Sequence, residues 1–229
     1  MKRKLDLKDI VLIGRTFDEY YKMFNISSIN KNEKILDVAS GVSSFCAEAK
    51  ALGYDVTASD RIYCFSAEEI EEKCAKDLET TMEKLAEVED LYKWEFFKDI
   101  EHLKRQRRKA YKGFIEDFKQ NSAVRYINTE YPKNNFKDKQ FNIALVSHFL
   151  FMYDEYLDYE FHKRVIKELT RITSKEIRVF PMVNLKGEKS LFVDKLMEDE
   201  CFSNYKIGIV KVDYEFVNGG NEMLVIKVE

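Results

Sequence analysis

Apolar positions along the chain follow two periods. Ile35, Leu36 and Val38, then Ile143 to Val146, then Glu176 to Phe180 form short Ile/Val/Leu-containing runs of the kind that strands covered on both faces require. Phe17, Tyr20, Tyr21 and Phe24 instead recur three or four apart, a helical stripe that predicts one or two helices over residues 5–30. Helix formers fill Ser43 to Leu52, and Gly53 is placed to end that helix. Tyr54 to Ser59 alternates and reads as a strand, and Val124 to Ile127 as the strand after it. Phe161, Val165, Ile166 and Leu169 mark a helix through Ile172, and Leu191 to Met197 reads as another helix. Two closing strands, Lys206 to Val212 and Glu222 to Val228, flank Asn218-Gly219-Gly220, a hairpin signal because Gly-Gly tolerates positive φ.

Strands alternating with helices predict an α/β fold: a Rossmann-like, doubly wound sheet of about seven strands. One interval breaks the rhythm. About 60 residues separate Asp60 from Val124, far more than a standard connection needs. The interval lacks proline and is helical in pattern, so it predicts a helical insertion over about residues 65–120, between the second and third strands. Its first half, Ala67 to Asp90, is acidic. Its second half, Leu91 to Phe118, sets Trp94, Phe97, Ile100, Leu103, Tyr111, Phe114 and Phe118 at spacings compatible with one apolar face.

The most basic run of the chain, Lys104 to Lys112 with Arg105, Arg107 and Arg108, lies in that second half. Two readings stand. A docking surface would set these cations on phosphates and stack Trp94 or Tyr111 on bases. A helical hairpin would instead neutralise them against the acidic first half, leaving a cap over the site. A formal net charge of −3 argues against a global affinity for nucleic acid.

Composition places the chain among globular proteins, 45% hydrophobic and 34% charged, and 229 residues suit one α/β domain. Cys46, Cys64, Cys74 and Cys201 follow no metal-ligand spacing and read as core thiols of a reducing compartment, with no metal site. The apolar stretch Ile10 to Ile13 behind the basic N-terminus is too short for a signal peptide, and no segment is long enough to span a bilayer. A cytoplasmic protein is expected.

The candidate chemistry sits in the first strand–turn–helix unit, Asp37-Val38-Ala39-Ser40-Gly41-Val42-Ser43. Ala39, Ser40 and Gly41 allow a sharp turn with room for a ligand against the backbone. Asp60 stands about 20 residues on, where an acid accepts hydrogen bonds from both hydroxyls of a ribose. Two nucleotides are candidates for this pattern: a dinucleotide, whose fold wants a glycine where Ser44 opens the helix, and S-adenosylmethionine.

The unit resembles motif I of the class I S-adenosylmethionine-dependent methyltransferases, with Asp37 as its acid, Gly41 as its middle glycine, and Ala39 and Ser43 in place of the outer two. Thr129-Glu130 falls on that family's Gly-Asp, Phe136 on its loop anchor, and Phe141-Asn142 on its Phe-Asp before the fourth strand. The antiparallel final strand is also how that family closes its sheet. The resemblance implies S-adenosylmethionine as cofactor, held by Asp37, Ala39, Ser40, Gly41 and Ser43. Asp60 and Arg61 follow on the second strand, Glu130 and Tyr131 near the adenine, and Ser147 at the end of the fourth strand. It also implies an N-terminal helical lid over residues 5–30, from which Arg15 or Tyr20 binds the cofactor's carboxylate.

His148, at the same strand end and with an unperturbed pKa of about 6.5, is the candidate base for a hydroxyl acceptor. His102 and His162 read as surface residues. Ser147-His148-Phe149-Leu150 stands where enzymes resembling this one and acting on adenine or glutamine nitrogen carry Asn-Pro-Pro-Tyr. The expected function is therefore methylation of a small-molecule acceptor. The alternatives are an RNA or protein methyltransferase docking through the basic helix, and a non-catalytic cofactor-binding module.

Overall fold

The computed structural model describes residues 11–228. Seven strands form one sheet: β1 (Lys34–Val38), β2 (Asp55–Asp60), β3 (Tyr126–Asn128), β4 (Phe141–Ser147), β5 (Thr173–Phe180), β6 (Lys206–Lys211) and β7 (Glu222–Lys227). Their order is β3-β2-β1-β4-β5-β7-β6. All neighbours are parallel except that β7 runs antiparallel to both β5 and β6. The doubly wound sheet with its antiparallel last strand is thus as expected.

Alternation along the central strands explains the two-sided cover. Ile35, Ile143 and Leu145 enter one apolar core, while Leu36, Val38, Ala144 and Val146 enter the other. Helices α1 (Phe17–Met23), α2 (Phe45–Ala51), α3 (Ala67–Ala86) and α4 (Ile100–Arg125) serve the first face; α5 (Tyr159–Ile172) and α6 (Leu191–Glu198) serve the second. The chain leaves β1 in one direction and β4 in the other, so a crevice opens beyond Val38 and Ser147 at the strands' C-terminal ends. Among the described residues, no helix is long and apolar enough to cross a membrane.

Between β2 and β3 the chain forms the expected helical insertion, but with shifted limits. Ser66 and Glu69 form a capping box that starts α3. Residues 92–99 are not helical; Asp99 starts α4 by accepting from the His102 amide at 2.6 Å. Trp94 and Phe97 therefore precede the helix, packing edge-on against Phe216 at centroid distances of 5.7 and 5.1 Å. At its other end α4 runs through Val124, which is exposed, and the third strand begins only at Tyr126. The sheet edge needs only a short pairing there, and helical backbone bonding continues up to it.

The closing hairpin is longer than its Gly-Gly signal suggests. Residues 212–221 link β6 to β7 and lie on the insertion: the Lys93 amide donates to the Phe216 carbonyl at 2.8 Å and the Asn218 amide to the Leu91 carbonyl at 3.0 Å. Tyr92 and Phe216 stack at 4.7 Å. Side-chain packing, rather than turn geometry, sets this loop.

Three of the six cations from Lys104 to Lys112 pair with α3. Lys104 and Arg108 pair with Glu79, Lys112 with Glu71, and Lys119 with Glu68 and Glu71. Arg105 and Lys109 are exposed, whereas Arg107 is buried and belongs to no surface stripe. His162 is also fully buried, stacked on Phe151, against the expectation of a surface residue. Cys46 and Cys74 are buried as expected of core thiols, but Cys64 and Cys201 are exposed.

Candidate functional site

The turn after β1 passes twice through left-handed backbone, at Ala39 (φ 51°) and Gly41 (φ 58°). Gly41 adopts this conformation without a Cβ penalty, and a Cβ built there meets nothing within 4 Å. Open space therefore faces this glycine. Ala39 pays the left-handed penalty that the glycine of motif I avoids.

Two buried acids hold the turn. Asp37 is fully buried at the end of β1, where its Oδ2 accepts from the Ser40 hydroxyl at 2.5 Å and its Oδ1 from the Tyr20 hydroxyl at 3.0 Å. Burial pushes its pKa up to about 7, against the opposing effect of the Ser40 and Tyr20 hydrogen bonds. Asp60 ends β2 and accepts from the Gly41 amide at 2.8 Å and from the Ile62 amide at 3.0 Å. Burial raises its pKa too, partly offset by those two amides. Tyr63 adds a third tie, donating its hydroxyl to the Gly41 carbonyl at 2.9 Å. Its ring stacks on Phe114 of the insertion, with centroids 5.7 Å apart.

Residues 12–16 form a strap over this turn. An added Cβ on Gly14 would stand 2.1 Å from the Val42 carbonyl oxygen, so only glycine permits so close an approach. The Arg15 carbonyl accepts from the Ser43 hydroxyl at 2.7 Å and the Ser44 amide at 3.0 Å. Thr16 then starts α1, its amide held by Glu19 in a capping box.

The Arg15 side chain is only partly exposed and, among the described residues, makes one hydrogen bond, Nη1 to the Ile13 carbonyl at 3.1 Å, while its buried Nε finds no partner there. Burial lowers its pKa, and nearby Arg107 lowers it further. Its neighbour His148 sits at the end of β4 in left-handed backbone (φ 52°), with Nδ1 hydrogen-bonded to the Ser147 hydroxyl at 2.9 Å. Burial, then Arg15 and Arg107, depress the imidazole pKa well below its ordinary value. The ring is thus neutral at physiological pH and a weaker base than expected.

Asp37, Ala39, Ser40, Gly41 and Asp60 form one cluster, joined through Tyr20 and Ser43 to the strap. Several expected contacts are already engaged within the chain. The Tyr20 hydroxyl, one of the two expected carboxylate donors, is committed to Asp37. Tyr131 bonds Ser59 through its hydroxyl at 2.7 Å and packs its ring into the α5-side core. Glu130 and Arg61 lie at the rim, exposed and 3.7 Å apart. Sequence reasoning missed Gly14, Glu19, Tyr63 and Tyr214, and it read Arg107 as a surface cation. Two signals existed: the Thr16…Glu19 capping-box spacing, and Arg107 in i,i+4 register with Leu103 and Tyr111 on the apolar face.

The arrangement presents a clamped backbone turn facing open space, a carboxylate beside it, and, on the strap, a guanidinium with no ion pair among the described residues. These features suit a ligand with hydroxyl donors at one end and an anionic group at the other. Among the described residues, no cluster of His, Cys, Asp or Glu is arranged to hold a metal ion.

No protein-family model matches the chain. The uncharacterized protein MJ0045 of Methanocaldococcus jannaschii is 53% identical over 226 residues, covering 98% of this chain and 99% of that protein. Among solved structures, the PH0226 protein of Pyrococcus horikoshii superposes with a TM-score of 0.52 at 14% identity, over 92% of this chain and 88% of that one. A SAM dependent methyltransferase from Aquifex aeolicus gives 0.46 at 11% identity, over 91% of each chain.

Two stability predictions follow from the turn. Ala39→Gly relieves the left-handed strain, so the variant gains about 0.5–1 kcal/mol, read as a Tm rise of about 1–4 °C. A lower Tm contradicts the strain. Asp37 binds its proton more tightly when folded, so its stabilising effect is complete below pH 3.8 and is lost as pH rises through about 7. Asp37→Asn mimics the protonated acid; from pH 5 to pH 8 it gains on the wild type by on the order of 2 kcal/mol in denaturant titrations. A pH-independent difference excludes the shift.

Proposed function

The chain belongs to one family with the Methanocaldococcus jannaschii protein MJ0045 and has the class I methyltransferase fold, and from that premise we propose that it is an S-adenosylmethionine-dependent methyltransferase acting on a small-molecule acceptor. One observation carries this reading: a doubly left-handed turn, clamped by two buried acids at the topological switch point, faces open space at Gly41.

The residues fit the cofactor. Asp60 has lone pairs beyond those taken by the Gly41 and Ile62 amides, and these suit ribose hydroxyls. Gly41 admits the nucleoside against the backbone. Asp37, with its raised pKa, gains most from a cationic neighbour, and the cofactor brings both an ammonium and a sulfonium. Arg15 offers its free N–H groups to the carboxylate. Arg61 and Glu130 guard the adenine end from the rim.

When bound, the cofactor supplies an electrophilic methyl group, so the chain's own work is to align an acceptor and exclude water. His148 lies where an acceptor enters, but its depressed basicity suits it to orient the acceptor as a neutral ring, not to titrate near 6.5. The docking alternative is weakened, since Lys104, Arg108 and Lys112 pair with α3 and Arg107 is buried, which leaves Arg105 and Lys109 as the exposed, unpaired cations of the run among the described residues.

Incubation with methyl-labelled cofactor and a cell extract, separated into metabolite, RNA and protein fractions, tests the reading. Label in the metabolite fraction is expected. Label in RNA or protein alone overturns the acceptor class, and binding without transfer leaves a cofactor-binding module. In a folded Asp60→Ala variant, affinity for the cofactor falls by about 1–3 kcal/mol, as loss of a charged acceptor requires; unchanged affinity removes Asp60 from the site. The kcat–pH profile lacks an inflection near 6.5; one that disappears in His148→Ala restores the ring as an ordinary base.

A further inference from the structure

The strap that carries Arg15 is held from two sides. On one side lie the turn and α2: Ser43 and Ser44 donate to the Arg15 carbonyl, and Glu48 accepts from the Phe17 amide at 2.8 Å. On the other side lies the insertion. Asp77 of α3 accepts from the Leu12 amide at 2.7 Å, and Arg107 of α4 donates through Nη1 to the Gly14 carbonyl at 3.1 Å. The same nitrogen donates to both Glu19 carboxylate oxygens, at 2.7 and 2.8 Å. Tyr214, from the β6–β7 loop, closes the group by donating to Glu19 at 3.0 Å.

This group is costly. Glu19 and Arg107 have side-chain exposures of 0% and 4%, and burying such a pair costs several kcal/mol of desolvation per ion before its own attraction offsets it. Well-packed apolar side chains would join α1 to α4 at least as firmly. What they lack is direction. A guanidinium fixes the Gly14 carbonyl and the first turn of α1 at once, and the Phe97 ring, 5.1 Å from its centre, fixes the plane it lies in. Both Glu19 oxygens are taken by Arg107, so Arg15 forms no ion pair of its own among the described residues.

We infer that Arg107 is a positioning residue of the cofactor site: its pairing with Glu19 sets the strap over the Ala39–Ser44 turn and so aims the Arg15 guanidinium at the cofactor's carboxylate. The insertion is thereby a working part of the site. This inference rests on the cofactor reading above.

Two nucleosides separate it from a purely structural role. S-adenosylhomocysteine carries the amino-acid carboxylate, and 5′-methylthioadenosine is the same nucleoside without that tail. Calorimetry is done on the wild type, Arg15→Met, Arg107→Lys, the paired variant Glu19→Gln/Arg107→Met, and that pair combined with Arg15→Met. The pair removes both charges together, and Arg107→Lys keeps the charge while losing the planar guanidinium that lies over Phe97, so one folded variant suffices.

Arg15→Met, Arg107→Lys and the paired variant are each expected to weaken S-adenosylhomocysteine about tenfold or more, with 5′-methylthioadenosine held within about twofold. Adding Arg15→Met to the pair is expected to cost nothing further, because both lesions remove one interaction. Equal weakening of both nucleosides, unchanged affinity for both, or losses that multiply overturn the inference and leave the cofactor reading intact. A wild-type chain that binds neither nucleoside overturns both.

Discussion

Two carboxylates taken out of water hold one bend of backbone, and the rest of the crevice is arranged around that constraint. Asp37 and Asp60 end adjacent strands, and each turns an oxygen toward the residues between Ala39 and Gly41. Burial disfavours the charge on both acids, which is why their raised pKa values accompany hydrogen bonds from hydroxyls and amides. The bend spends conformational energy at Ala39, and the sheet beneath it is covered on both faces and rigid enough to hold it.

What this chain adds to a common fold is a second wall. The insertion between β2 and β3 pairs half of its basic run internally and sends one arginine inward to the strap. Tyr63 stacks on Phe114 and bonds the Gly41 carbonyl, while Arg107 bonds the Gly14 carbonyl. The turn is thus braced from above as well as below. The long β6–β7 loop joins the same assembly through Phe216 and Tyr214, so residues far apart in sequence converge on Glu19.

The architecture was legible wherever one period dominated. β1 and β4 are short, predominantly apolar runs, and the structure places them near the centre of the sheet, as runs needing cover on both faces must be. Legibility failed where tertiary contacts overrode local signals. Gly219-Gly220 signals a tight turn, yet the loop around it is drawn out by Phe216 packing on Tyr92 and Phe97. Val124 favours a strand by type, yet it completes a helix that has no reason to stop before the sheet edge. Gly41 and Asp60 were readable from the turn and the spacing that follows it, and Asp37 from the resemblance to motif I; the fold sets the three side by side. His148 was readable as a position, whereas its lowered basicity comes first from burial and then from Arg15 and Arg107, all of which the fold alone sets. Arg107 looked like one cation among many, and only its register with Leu103 and Tyr111 marked it as inward-facing.

The most direct test of the account is a crystal structure of the chain with S-adenosylhomocysteine. The account predicts the ribose hydroxyls on Asp60, the nucleoside against Gly41, and the carboxylate at Arg15. A nucleoside bound elsewhere, or a crevice left empty at saturating concentration, contradicts it.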